Sequence, residues 1–388
     1  MDQIYLDHAA TTPLDPRVLE AMRPFLVDSY GNASSVHTPG RKARFAVEAS
    51  REEVAELLGV EPGEILFTSG GTEANNTAMK GTRGAIVTGA AEHESILRAA
   101  EAEERTGRTV IVLSPDRTGA VSADQVQDAL DGLGERAGLV SIMHANNEIG
   151  TLSPVAEIAT RCRARGVLIH CDAVQTTGYG MSRPEDLGVD LMTISAHKFY
   201  GPKGAGALYV RSDVEITALL HGGAQERGRR GGTENVAAIV GLARALRLAF
   251  EERRARWNHA TALRDRLIDG IRQALSGRAW INTPVTEREV APHIVNVAFP
   301  PIDGEPVDGE MLLANLDLEG VYASAGSACT SGALEPSHVL TAIGLPAATA
   351  RAAVRLSVGK DTSEADVDRA IDALVRVIRR MQRSTAVP

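Results

Sequence analysis

The chain has 388 residues, 44% hydrophobic and 23% charged, with a formal charge of −9 and three cysteines. That length predicts two or three domains around a large core, and acidic charge spread without long runs excludes the basic footprint of a nucleic-acid binder. Three cysteines exclude a disulfide framework and predict a reducing compartment; the start "MDQIYLDHAATTP" has no secretory pattern, and no apolar run reaches membrane-spanning length. A soluble cytoplasmic enzyme is the expectation.

Apolar runs recur at 64–68 (EILFT), 85–89 (AIVTG), 109–113 (TVIVL), 139–143 (LVSIM), 167–171 (VLIHC), 191–195 (LMTIS) and 206–210 (GALYV). They are nearly continuous in apolar character, which predicts strands buried on both faces. Helical patterns separate many of them. In one, Val155, Ile158, Ala159 and Cys162 form a stripe, with Ser153 expected as N-cap and Pro154 at the first helical position. Strands alternating with helices predict an α/β fold with a mainly parallel central sheet flanked by helices. A long charged helical stretch follows from about Val236 to Asp269. Beyond it strands thin out to "HIVNVAF" and "AAVRLSVG", and Val367, Ile371, Leu374, Ile378 and Met381 mark a final amphipathic helix. The predicted organisation is a large α/β domain over 16–260, and a smaller α+β domain from 1–15 plus 261–388.

In a parallel α/β sheet, ligands bind beyond the carboxyl ends of the strands. After the first run comes "SGGTEANN", a glycine-rich turn opening a helix, whose N–H groups suit a phosphate. The second is followed by His93 in "AAEHESI", and the fourth by "HANNEIGT". Asp172 and Gln175 follow the fifth, and Ser195, His197 and Lys198 close the sixth. Taken singly, each has an ordinary alternative. A lysine is by default a solvated surface residue, Asp172 could cap a helix, a lone histidine is more often structural, and His170 reads as a strand residue without a role. Taken together, phosphate donors, an acid and a lysine fit pyridoxal 5′-phosphate, which needs an amine to hold it and an acid at its pyridine nitrogen. "SAHK" also satisfies S-x-x-K, but its companion K-T-G is absent. The dinucleotide and Walker patterns are absent too, which argues against a Rossmann-type oxidoreductase.

The segments "YLDHAATTP", "TSGGTEANN", "EHESI", "HANNEIG", "DAVQTTG", "SAHKFYGPKG", "ERGRRGGTEN" and "SAGSACTSGALEPSHVL" together resemble the cysteine desulfurases of the NifS/IscS kind. These are class V, fold-type I enzymes dependent on pyridoxal phosphate, and the resemblance runs from Tyr5 to about Arg379. It implies that Lys198 carries the cofactor and shuttles protons, that Asp172 pairs with the pyridinium nitrogen and Gln175 with the phenolic oxygen, and that His93 stacks on the ring and assists proton transfers. It further implies Gly71, Thr72, Ser195 and His197 at the phosphate, and Thr233 reaching the phosphate of a neighbouring subunit in a homodimer. Asn147 and Arg355 would hold the carboxylate of L-cysteine, which a planar guanidinium suits. The implied reaction converts L-cysteine to L-alanine and leaves the sulfur as a persulfide on Cys329, for transfer to an acceptor such as an iron–sulfur scaffold.

A soft nucleophile that ionises near neutral pH must attack the substrate sulfur, which selects a cysteine. Cys329 sits in "SAGSACTSGALEP", a run of small residues expected to be mobile, whereas Cys162 and Cys171 read as core. In some family members the loop cysteine also shares an iron–sulfur ligand role with the scaffold; no metal site intrinsic to this chain is expected. A selenocysteine lyase or class V aminotransferase would share the lysine–aspartate pair, but an aminotransferase needs no loop cysteine. A non-catalytic scaffold would have lost Lys198, Asp172, His93 or Arg355, and none is lost.

Overall fold

A computed structural model of the chain describes residues 3–180, 182–301, 304–325 and 335–384, with side chains up to residue 381. Among the described residues twelve strands form three sheets: β1 (Ile4–Tyr5), β2 (Ile65–Thr68), β3 (Ala85–Gly89), β4 (Val110–Leu113), β5 (Ala137–Ser141), β6 (Leu168–Asp172), β7 (Leu191–Ser195), β8 (Gly206–Val210), β9 (Trp280–Ile281), β10 (Ile294–Ala298), β11 (Val321–Tyr322) and β12 (Ala353–Ser357). The main sheet has the order β2-β8-β7-β6-β5-β3-β4. β3 to β7 are parallel, and β8 runs against both of its neighbours. Because β8 reverses, β2 points the same way as β7, so the carboxyl ends of β2, β3, β5, β6 and β7 share one edge. That edge is where a ligand site belongs.

The continuous apolar character of these strands has the expected cause. Ile65, Phe67, Val87, Val140 and Met192 pack into one core, while their neighbours Leu66, Ile86, Leu139 and Leu191 pack into another on the opposite face. Period-2 alternation therefore buries both faces under helices. β4 departs from this, since it is the sheet edge and leaves Val112 exposed. The helix at Val155–Ala164 buries all four residues of its predicted stripe. Its cap lies one residue later than expected: Pro154, at φ −77° and ψ 57°, is the capping position and offers no side-chain bond. Ser153 instead spends its backbone N–H on the His144 carbonyl, 2.9 Å away.

A separate core joins Ile4 and Leu6 to Val295, Val297, Leu356, Val367, Leu374 and Ile378, around the antiparallel sheet β12-β10-β9. The helix Val236–Ala274 serves both regions. Its Leu242, Leu246 and Phe250 enter the core of the main sheet, and Leu263, Leu267 and Ile271 enter the second. Asn235 caps it by accepting from the Ala238 N–H. Among the described residues no helix is long and apolar enough to cross a membrane.

Candidate active site

The shared edge holds a cleft of about 340 Å³, within the range of small-molecule sites. Gly71, Thr72, His93, Asn147, Asp172, Gln175, Ser195, His197, Lys198 and Arg355 all line it. Ten residues far apart in sequence thus meet where the parallel-sheet rule places them. Thr233 does not line the cleft and is exposed. The stretch before it is anchored on the main sheet's side. Arg51 grips Glu226 through two bonds of 2.9 and 2.8 Å, and Arg230 reaches Glu73, 2.9 Å away, in the first turn of the Gly71–Gly81 helix.

That helix begins at a turn that only glycine accommodates. Gly70 holds φ +150°, and a Cβ on Gly206 in β8 would lie 2.7 Å from the Gly70 Cα. The close approach of the two backbones leaves the helix N-terminus, with its unpaired N–H groups, facing the cleft. Ser195 ends β7 beside this turn, and its buried hydroxyl has no hydrogen-bond partner among the described residues. A buried hydroxyl without a partner is costly, and one aimed at a helix N-terminus suits an anionic ligand that completes it. His197 is held by Thr11, 3.1 Å from its Nδ1, and burial, then the Lys198 charge, lower its pKa to about 4.

Asp172 ends β6. Its Oδ1 accepts from the Val174 N–H at 3.0 Å and its Oδ2 from Asn75 Nδ2 at 2.7 Å. Asn75 also donates to Ser95 Oγ at 2.8 Å. The Ser95 hydroxyl in turn lies 2.7 Å from His93 Nδ1, which also accepts the Ser95 N–H. Because Nδ1 accepts, the neutral His93 ring carries its proton on Nε2. The ring itself is open to the cleft space, yet the surrounding walls desolvate it. This desolvation is the largest influence and lowers its pKa, with Asp172 opposing. Sequence reasoning missed Asn75 and Ser95, although both lie within motifs it had singled out, one helical turn beyond Gly71 and two residues beyond His93.

Lys198 projects from the turn after β7 and donates to the carbonyls of Ala9 and Ala10, at 2.6 and 2.8 Å. Burial, followed by the Arg355 charge, lowers its pKa to about 8, with Asp172 and Asp7 opposing. An ordinary lysine near 10.4 would be almost wholly protonated at neutral pH, so the shift brings free amine within reach. Gln175 also donates to Ala9, at 3.0 Å. The N-terminal segment thus supplies carbonyls that position two cleft side chains.

Arg355 lies on β12 and is 4% exposed. It donates to the Asn147 carbonyl, to Asp7 Oδ1 and to Ser324 Oγ at 2.8, 2.9 and 2.9 Å. Its Nε has no partner among the described residues, so the guanidinium is fixed in place with a donor in reserve. His170 is structural, bridging Ser141 and Thr193 across the strands at 2.9 and 3.0 Å. Cys329, and the expected mobility of its segment, lie outside the described residues. Both flanks of that segment reach the cleft. Ser324 lines it and pairs its backbone with Arg355. On the other side His338 lines it and donates Nε2–H to the Glu92 carbonyl at 2.8 Å.

The donor set therefore fits pyridoxal phosphate: a helix N-terminus with an unpartnered buried hydroxyl for the phosphate, a held carboxylate for the ring nitrogen, and a lysine of lowered pKa. Comparison with known proteins agrees. The family model described as aminotransferase class-V matches residues 4–370. The chain is 44% identical over 387 residues to a cysteine desulfurase IscS from Dictyoglomus turgidum, covering 98% of this chain and 95% of that one. A solved NifS-like protein superposes with a TM-score of 0.88 at 37% identity, covering 98% of this chain and all of the other. A structure of SspA in complex with cysteine gives 0.78 at 34% identity, covering 92% and 99%.

Proposed function

The chain belongs to the aminotransferase class-V family and is a pyridoxal-phosphate-dependent cysteine desulfurase, and from that premise we propose which of its residues carry the reaction and where the sulfur goes. Bound pyridoxal phosphate supplies an electron sink for the charge released at the substrate Cα. Lys198 holds the cofactor through its amine, and its free amine moves the Cα proton. Asp172, fixed by Asn75 and Val174, keeps the ring nitrogen protonated. Gly71, Thr72, Ser195 and His197 hold the phosphate, joined by Thr233 of a second copy in a homodimer, which its exposed position outside the cleft supports. His93 stacks on the ring, and Asn147 and Arg355 orient the carboxylate of L-cysteine.

Cys329 takes the sulfur as a persulfide and hands it to an acceptor protein, with iron–sulfur cluster assembly in the cytoplasm as the use. The observation that carries this reading is that Ser324 and His338, flanking the cysteine's segment, both line the Lys198 cleft. The functional division is set near residues 15 and 260, and the passage of the long helix from one core at Phe250 to the other at Ala260 supports the second boundary.

Incubation with L-cysteine in the absence of reductant, followed by peptide mass mapping, is expected to place an extra sulfur on Cys329. Its appearance on Cys162 or Cys171 instead would remove the assignment.

Arg355→Lys keeps the charge but loses the planar fork. Charge-assisted hydrogen bonds of this kind are worth about 1.5–3 kcal/mol, so the loss of one raises KM for L-cysteine by roughly 10- to 100-fold. The visible band of the cofactor should be unchanged. An unaltered KM would show that the carboxylate binds elsewhere.

A further inference from the structure

Gln175 contacts the protein through both ends of its amide. The Ala9 carbonyl can only accept, so the Gln175 atom 3.0 Å from it is the NH2 group. The other end is then the carbonyl Oε1, which can only accept in its turn. Its partner is His293 Nε2, at 3.2 Å, which must therefore carry a proton. His293 stands immediately before β10, is 4% exposed, and stacks on Tyr179 with ring centroids 4.7 Å apart at 26°. Stacking and the strand fix the ring, so the direction of its N–H is fixed as well. One Nε2 proton of Gln175 goes to Ala9, and the second belongs to a side chain that lines the cleft.

We infer that His293 is a positioning residue for the cofactor's ring oxygen, holding the Gln175 amide by its Oε1 so that the second amide proton faces the cleft. The inference rests on the role proposed above for Gln175. The reverse amide orientation would set two carbonyls against each other at Ala9. A freely rotating amide would present oxygen to an anionic ring oxygen for part of the time.

The donor state of His293 is also secure. The ionisable groups acting on it are His8, Arg355, Lys198 and Arg264, all of which disfavour an imidazolium. Burial is the larger influence, and together they lower its pKa to about 3. Its Nδ1 has no partner among the described residues, and neither does Nδ1 of His8. A neutral ring with one proton on Nε2 is thus the form present at every working pH.

The holoenzyme's visible band, titrated with pH, tests the inference without measuring turnover. A hydrogen bond to an anionic ring oxygen lowers the pH midpoint of that band, so Gln175→Ala should raise it by about one unit. His293→Leu, which keeps bulk but has no donor, should raise it in the same direction by at least about half as much. His293→Gln, which can place a donor at similar reach, should stay at the parent midpoint, and His293→Asn, too short to reach Gln175, should not. In the Gln175→Ala background, His293→Leu should add nothing. A parent midpoint in both His293→Leu and His293→Asn, with Gln175→Ala shifted, overturns the role of His293 and leaves that of Gln175 standing. Shifts that add in the double variant, or a His293→Gln variant shifted as far as His293→Asn, overturn it equally. An unshifted Gln175→Ala overturns both.

Discussion

Lys198→Ala is expected to yield protein without the visible absorbance of the bound cofactor, turning over L-cysteine roughly 10²- to 10⁴-fold more slowly, the range for removal of a positioned acid–base group. Two functions would be lost together, since the proposed role of this amine is both to hold the cofactor and to move the Cα proton. The variant should still fold. Lys198 makes its bonds to two backbone carbonyls, Ala9 and Ala10, and an alanine leaves those carbonyls beside an open cleft that water can enter. The pH dependence follows from the same environment. The pKa of Lys198 is lowered to about 8, by burial first and then by Arg355, so the free amine forms as pH rises through that value. Uptake of pyridoxal phosphate by the apo-protein should therefore accelerate from pH 6.5 to pH 9 and then level off. A flat profile over that interval would show that Lys198 is not the group that takes up the cofactor. An unchanged visible spectrum in Lys198→Ala would end the assignment altogether.

Much of this site could be read from sequence because its principal side chains sit at strand ends. Ser195, Asp172 and the turn after Thr68 each follow an apolar run that the buried sheet makes conspicuous. Once the sheet is known to be parallel, the meeting of those ends is a matter of topology. The supporting groups leave no such trace. Lys198 is positioned by carbonyls 188 and 189 residues away, and a backbone carbonyl is the same for every residue type. His293 meets Gln175 across 118 residues, a pairing no local pattern encodes. Asn75 was hidden differently, since an asparagine inside a helix has no characteristic spacing. The fold shows the same division. The five- and four-residue strands of the main sheet were legible, whereas β1, β9 and β11, of two residues each, depend on pairings made elsewhere in the chain. The cap falls on Pro154 and not on Ser153 because a proline fits several positions of a helix start.

Cys329→Ala is expected to retain the cofactor band at parental intensity while losing persulfide formation and sulfur delivery to background. The chain has three cysteines, and the other two cannot replace it. Cys162 lies on the buried face of the Val155–Ala164 helix, and burial, reinforced by Asp190, raises its thiol to about 12. At pH 7 its thiolate fraction is then on the order of 10⁻⁵. Cys171 is the residue before Asp172 on β6, fully buried, and burial with the nearby Asp172 and Glu92 carboxylates pushes its thiol well above the ordinary value. Because β-strand side chains alternate, Asp172 reaching the cleft turns Cys171 into the core. The thiolate is the nucleophile in sulfur transfer, so neither buried thiol has the charge or the access to act. The groups proposed to hold the cofactor, Lys198, Asp172 and the Gly71 turn, are unaffected by the substitution, which is why binding and colour should persist. Alanine and sulfide are measured in the presence of a reductant, with the cofactor spectrum recorded on the same sample. Delivery at the parental rate by Cys329→Ala would assign the sulfur to a direct route from substrate to acceptor. Loss of colour together with activity would instead make Cys329 part of the cofactor's support. Retained colour with lost delivery separates the two halves of the reaction, one run by the sheet edge and the other by the segment between Ser324 and His338.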